Sequence, residues 1–104
     1  MDPMSSSVDA GLRRLVRDHR DEITEVARRN RAIRVRLFGS VARGEDRPGS
    51  DIDLLVDFET GSSLFDVLHL QSELESLLGH HVDVVSSGGL KPRDSHILEE
   101  AVEL

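Results

Sequence analysis

The sequence predicts a single α/β (α+β) domain in which helices cover a small sheet. Three observations predict it. Helical and strand periods alternate in the order α, β, short helix, β, α, β, α, with no internal repeat. The 104 residues suffice for one compact core and are too few for a catalytic domain plus a separate recognition domain. Apolar residues at 38% and charged residues at 32%, with no run of 18 apolar residues, describe a soluble chain without a membrane span.

Residues 1–8, with Pro3 and three serines, are expected to form a disordered tail ahead of a domain spanning 9–104. From Asp9 to about Asn30, Leu12, Leu15, Val16, His19, Ile23, Val26 and Ala27 recur at helical spacing, and Arg, Asp and Glu fill the other face. Ile33, Val35 and Leu37 alternate with Arg34 and Arg36, which is the period of a strand with one buried face. Phe38 leads from that strand into Gly39, and Ser40 to Gly44 reads as a one-turn helix or tight loop. Arg47-Pro48-Gly49-Ser50 is a turn by composition, with Ser50 finishing it. The second strand, Asp51 to Phe58, sets Ile52, Leu54, Val56 and Phe58 on one face and Asp51, Asp53, Leu55 and Asp57 on the other.

Ser63 and Asp66 have the spacing of a capping box that opens a helix, and Gly79 suits the left-handed residue that ends it after Leu78. Val82, Val84 and Val85 form a short third strand whose single charge is Asp83. Gly88-Gly89 is a loop, and a last helix capped by Asp94 or Ser95 carries Ile97, Leu98, Ala101 and Val102.

The net charge of −7 is unevenly spread: residues 1–47 carry +3, with eleven arginines, and residues 48–104 carry −10. Duplex binders display dense basic surfaces, so direct nucleic-acid binding is not expected. The arginines read as a solvated helix face, with a docking surface for an acidic partner as the alternative. Without cysteine there is no disulfide framework and no thiolate ligand, so any metal chemistry uses carboxylates or histidines and favours hard cations. Met1 to Val8 lacks the basic and apolar regions of a signal peptide, so the expected location is the cytoplasm.

One stretch carries chemistry. Gly39-Ser40 follows a strand, where backbone N–H groups can face phosphate, and ten residues later Asp51-Ile52-Asp53 begins the next strand. Side chains at i and i+2 of a strand stand about 6 to 7 Å apart on one face. Two carboxylates so placed repel by roughly 3 kcal/mol at an effective dielectric near 20, and Asp83 on a neighbouring strand adds to the repulsion. Divalent cations relieve it, and Mg²⁺ combines one or two protein carboxylates with substrate phosphates. Arg43, one turn after the glycine-serine pair, could reach a triphosphate oxygen or be a helix-surface charge. Lys91 and Arg93 could contact a phosphate or a partner, or lie in a solvated loop.

The segments Leu37-Phe38-Gly39-Ser40-Val41-Ala42-Arg43-Gly44 and Ser50-Asp51-Ile52-Asp53-Leu54-Leu55-Val56, with Val82-Asp83-Val84-Val85 and the closing Ile97-Leu98-Glu99-Glu100-Ala101, resemble the nucleotidyltransferase superfamily that includes DNA polymerase beta. Within it the chain is similar to the minimal nucleotidyltransferases (MNT) encoded beside HEPN partners. The resemblance implies a nucleotidyltransferase fold with a small mixed sheet of three strands in the order one, two, three. Placing Gly39, Asp51 and Asp83 at one edge of that sheet requires strand one to run opposite to the other two. The resemblance further implies that Gly39 and Ser40 hold the β- and γ-phosphates of ATP and that Asp51 and Asp53 bind two Mg²⁺ ions. Asp83 would bind the catalytic ion and help deprotonate the acceptor hydroxyl. The implied activity moves AMP from ATP to a hydroxyl, with a tyrosine of a HEPN toxin as acceptor and this chain as the antitoxin. An antitoxin that works by occlusion, and a small-molecule nucleotidyltransferase working as a dimer, are the alternatives.

Overall fold

The computed structural model describes residues 3–47 and 49–104, with side chains from residue 11 onward. Two helices, α1 (Pro3–Asp18) and α2 (Arg20–Arg29), lead into β1 (Ala32–Phe38), and a single helical turn, α3 (Gly39–Arg43), follows directly. Next come β2 (Ile52–Phe58), α4 (Leu64–Leu78) and β3 (Val82–Ser86). Two 3₁₀ turns at Ser87–Gly89 and Pro92–Asp94 connect to α5 (Ser95–Glu100) and β4 (Val102–Glu103). None of the described helices is long and apolar enough to cross a membrane.

The strands form one mixed sheet in the order β3-β2-β1-β4. β1 pairs antiparallel with β2, and β2 pairs parallel with β3, so strand one runs opposite to the other two as the site geometry required. The fourth strand was not expected. Val102, assigned by its apolar spacing to the last helix, pairs antiparallel with Leu37 along the free edge of β1, and Glu103 pairs with Arg36. Ala101 has already turned extended, at φ −68° and ψ 136°, and α5 ends at Glu100. A two-residue strand is too short to carry a period of its own.

The helical stretch expected over 9–30 is also divided. The chain leaves helical geometry at His19 (φ −104°, ψ 16°) and resumes at Arg20, while the His19 Nδ1 lies 2.9 Å from the Leu15 carbonyl. The bend lets both apolar stripes reach one core: Leu12 and Val16 from α1 are buried with Ile23, Val26 and Ala27 from α2. α1 begins at Pro3, ahead of the expected Asp9 start, and its backbone kinks at Gly11. Met1 and Asp2 of the expected tail lie outside the described residues. At the other end, the buried Asn30 caps α2, donating its side-chain amide to the Val26 carbonyl (2.9 Å) and to Glu73 (2.7 Å).

Ile52, Leu54 and Val56 of β2 meet Leu70, Leu74 and Leu78 of α4 and the α1–α2 residues in one buried cluster. The expected faces of β2 therefore hold, and they place Asp53 and Asp57 opposite the helices. Ile33, expected inside, is 68% exposed because the β1–β2 register shifts between Ala32 and Arg34 and Ala32 takes the core position. α4 opens as its sequence predicts: the Ser63 amide donates to Asp66 Oδ2 at 2.9 Å, and Gly79 (φ 68°) closes the helix. Leu74→Ala is expected to lower unfolding free energy by about 2–5 kcal/mol in urea denaturation, because the site cannot collapse around the lost volume.

Candidate nucleotide and metal site

The sheet geometry brings three chain segments together. β1 delivers Gly39 at its exit, while β2 and β3 begin beside it with Asp51, Asp53 and Asp83. In the ladders Asp53 is the register partner of both Phe38 and Asp83, so the two carboxylates are direct neighbours on parallel strands. Asp51 precedes β2, and Asp51, His81 and Asp83 each offer a ligand atom within 4.8 Å of the others.

Gly39 is required at its place. Its φ of 79° is left-handed, and a Cβ there would overlap the Asp53 carboxylate, with Cγ 3.2 Å away. The turn it opens is only five residues long and ends at Gly44 (φ 72°). Val41 and Ala42 bury into the core, which anchors the turn, and Ser40 stays half-buried. The expected one-turn helix is thus present, pressed against the carboxylates.

The electrostatics agree with crowding. Burial pushes the Asp53 carboxyl up to about 6, the Asp83 and Asp51 charges push in the same direction, and Arg43 partly opposes them. Asp51, Asp83 and His81, with Asp53 beside Asp83 across the ladder, offer a donor set that fits a hard divalent cation.

Two residues join the site that the sequence reading left without a role. His81 Nε2 stands 3.8 Å from Asp83 Oδ1, and its Nδ1 is 2.6 Å from Glu75 Oε2. The same Glu75 oxygen accepts the Val82 amide at 3.1 Å, which fixes the carboxylate and through it the ring. Glu75 and the nearby Asp51 charge raise the imidazole's affinity for a proton. A signal for His81 was available, since it precedes Asp83 by the same two residues that separate Asp51 and Asp53. Glu100 is the second. Its Oε1 accepts the Gly39 amide at 3.0 Å, and Arg43 Nη1 donates to both of its oxygens at 3.0 and 3.2 Å. Nothing local to Glu100 in the sequence announces that contact.

Arg43 therefore sits beside the turn already paired, with its Nε on Glu45 at 2.9 Å. Ser50 completes the turn before Asp51, accepting the Arg47 amide at 2.7 Å. Lys91 and Arg93 are exposed on the connection into α5 and are not drawn into the carboxylate cluster. Asp57 lies at the far end of β2, ion-paired with Arg36 at 3.2 Å.

Comparison with known proteins agrees with this architecture. The profile of the nucleotidyltransferase domain family matches residues 20–103. The MJ0435 protein of Methanocaldococcus jannaschii, named as a protein adenylyltransferase, is 46% identical over 72 residues, covering 68% of this chain and 77% of that one. The protein adenylyltransferase MntA of Thermococcus cleftensis is 49% identical over 55 residues, covering 53% of this chain and 56% of MntA. A solved minimal nucleotidyltransferase superposes with a TM-score of 0.78 at 50% identity, over 86% of this chain and 92% of the other. A toxin–antitoxin structure with AMP-PNP shares the fold, with a TM-score of 0.69 at 23% identity, over 80% of this chain and 69% of that one. With the family profile matching residues 20–103, most of the chain, and with the Gly39 turn and paired aspartates meeting at the joint between β1 and β2, this protein belongs to the nucleotidyltransferase domain family.

Proposed function

We propose that this chain is a Mg²⁺-dependent protein adenylyltransferase that moves AMP from ATP to a hydroxyl of a partner protein and thereby acts as an antitoxin. The observation that carries the reading is the meeting of Asp51, Asp53 and Asp83 beside the Gly39 turn. Adenylyltransferase relatives at 46% and 49% identity support AMP as the transferred group. The resemblance to MNT proteins points to a tyrosine of a HEPN toxin as the acceptor.

In this reading the Gly39–Arg43 turn binds the β- and γ-phosphates, with Ser40 among its donors, and aligns the α-phosphate with the carboxylates. Asp51, Asp53 and Asp83 hold divalent cations; such ions, when bound, polarise the α-phosphate and stabilise the departing pyrophosphate. Asp83 accepts the acceptor proton as the acceptor oxygen bonds to the α-phosphorus and the bond to the β-phosphate oxygen breaks. His81 borders the same cluster and keeps its ring oriented through Glu75.

The activity is tested by incubating the chain with Mg²⁺, ATP and the toxin encoded beside it, then weighing the toxin. The expected result is a mass gain of one or more AMP units that is lost when Asp51→Asn and Asp53→Asn are combined. A toxin that gains no mass, yet is inhibited equally by the double variant, would show occlusion instead.

The Asp53 environment yields a prediction independent of turnover. Its carboxyl holds its proton up to about pH 6 in the folded chain, against 3.8 as its ordinary value. Between those values the folded state binds more proton than the unfolded state, so this group's contribution to stability falls as pH rises from 3.8 through 6 and stays lost above it. Asp53→Asn is expected to raise the unfolding free energy of the metal-free protein at pH 8 by about 1 kcal/mol or less given solvent screening, and its Tm with it. The same change should abolish stabilisation by added Mg²⁺ in thermal denaturation.

Gly39→Ala is expected to lower stability by about 1–3 kcal/mol, through a left-handed Ala and its overlap with Asp53, and to lower nucleotide transfer beyond detection. Calorimetric unfolding and the mass assay read the two effects separately.

A further inference from the structure

We propose that Glu100 is a positioning residue of the nucleotide site, whose carboxylate holds the Gly39 amide and the Arg43 guanidinium in the arrangement that receives the triphosphate. The contact spans 61 residues of sequence and joins the end of α5 to the start of α3. It rests on the reading of the Gly39–Arg43 turn as the triphosphate site and extends it to the C-terminal segment.

The geometry of Arg43 makes the case. Two of the three guanidinium nitrogens are engaged by carboxylates from different directions: Nε by Glu45 at 2.9 Å and Nη1 by both oxygens of Glu100. Among the described residues, Nη2 makes no hydrogen bond to protein. A guanidinium is planar, so holding Nε and Nη1 also sets the direction of Nη2. The side chain is 45% exposed, and an exposed arginine without such holds would spend most of its time in other rotamers.

The second hold acts on the backbone. The first amides of α3 have no acceptor within the helix, and the Glu100 carboxylate takes that of Gly39 at 3.0 Å. The turn is thereby pinned at its first residue. Glu100 itself is only 29% exposed. It is held in turn by its place between α5 and β4, whose Val102 and Glu103 pair with β1 immediately before the turn. The late strand thus anchors the carboxylate to the same strand that delivers Gly39.

A Glu100 that positions these groups should affect nucleotide binding more than the chemical step. Glu100→Ala removes both holds, and Glu100→Gln keeps an oxygen for the Gly39 amide while losing the charge that pairs with Arg43. The test measures the Kd of Mg·ATP by calorimetry, KM and kcat for AMP transfer, and Tm, for both variants. Loss of charge-assisted hydrogen bonds predicts that Kd and KM for ATP rise about tenfold in Glu100→Ala, with kcat changing less than about threefold. Glu100→Gln should fall between it and the unmodified chain, with Tm lowered by a few degrees at most. In an Arg43→Ala background the Glu100→Ala change should cost less than it does in the unmodified chain, because only the hold on the Gly39 amide is then left to lose.

Unchanged or tighter ATP binding in both variants overturns the inference; tighter binding would mean that the carboxylate competes with phosphate. If Glu100→Ala fails to fold, the isosteric Glu100→Gln decides the matter alone. An unmodified chain that binds no Mg·ATP overturns the triphosphate reading together with this inference, whereas normal binding by the unmodified chain and both variants removes the role of Glu100 alone.

Discussion

The crowding of Asp53 is the constraint from which the rest of the structure follows. It faces Asp83 across a parallel ladder, has Asp51 two residues before it, and is touched from behind by a glycine that no other residue could replace without overlap. Burial and like charge hold its carboxyl at about 6, well above its ordinary 3.8. A sheet assembled for stability alone would place a neutral or apolar side chain there. On the proposed reading the arrangement is a receptor for positive charge, and the antiparallel β1 brings the Gly39 turn against it.

That receptor is supported by an ordinary hydrophobic scaffold. Helices α1, α2 and α4 occupy one face of the sheet, and the alternation of β2 turns Ile52, Leu54 and Val56 toward them while turning Asp53 away. The repulsion among the carboxylates is therefore confined to one edge, where solvent or a cation can relieve it, and the core beneath is continuous. Around this edge a second layer of carboxylates orders the site: Glu75 fixes His81, and Glu45 and Glu100 hold Arg43. The acidic second half of the chain supplies most of these groups, and the arginine-rich first half supplies Arg43.

Much of this was legible in the sequence because short-range signals carried it. The two-residue period of β2 separated core from site, Gly79 and Ser63 marked the limits of α4, and the distance from Gly39 to Asp51 announced the constellation. Reading failed where the deciding interaction was remote. Ile33 was expected inside because its spacing was right, and a register shift against β2 moved it out. The single long helix over 9–30 had a continuous apolar stripe, and only the need to reach one core from two directions bends it at His19. Val102 follows helical spacing until the free edge of β1 recruits it together with Glu103. Glu100 stood inside the closing stretch of the family pattern, but nothing announced its contacts, since its partners are 57 and 61 residues away.

The central claim is that these carboxylates and the phosphate turn form one receptor for a divalent cation and a nucleotide. Calorimetric titration of Mn²⁺ into the chain, with and without a non-hydrolysable ATP analogue, tests it most directly. The account predicts that the analogue tightens Mn²⁺ binding and raises the number of ions bound per chain to two, and that combining Asp51→Asn with Asp53→Asn removes both effects. Mn²⁺ binding that ignores the analogue, or that survives the double change, would contradict it.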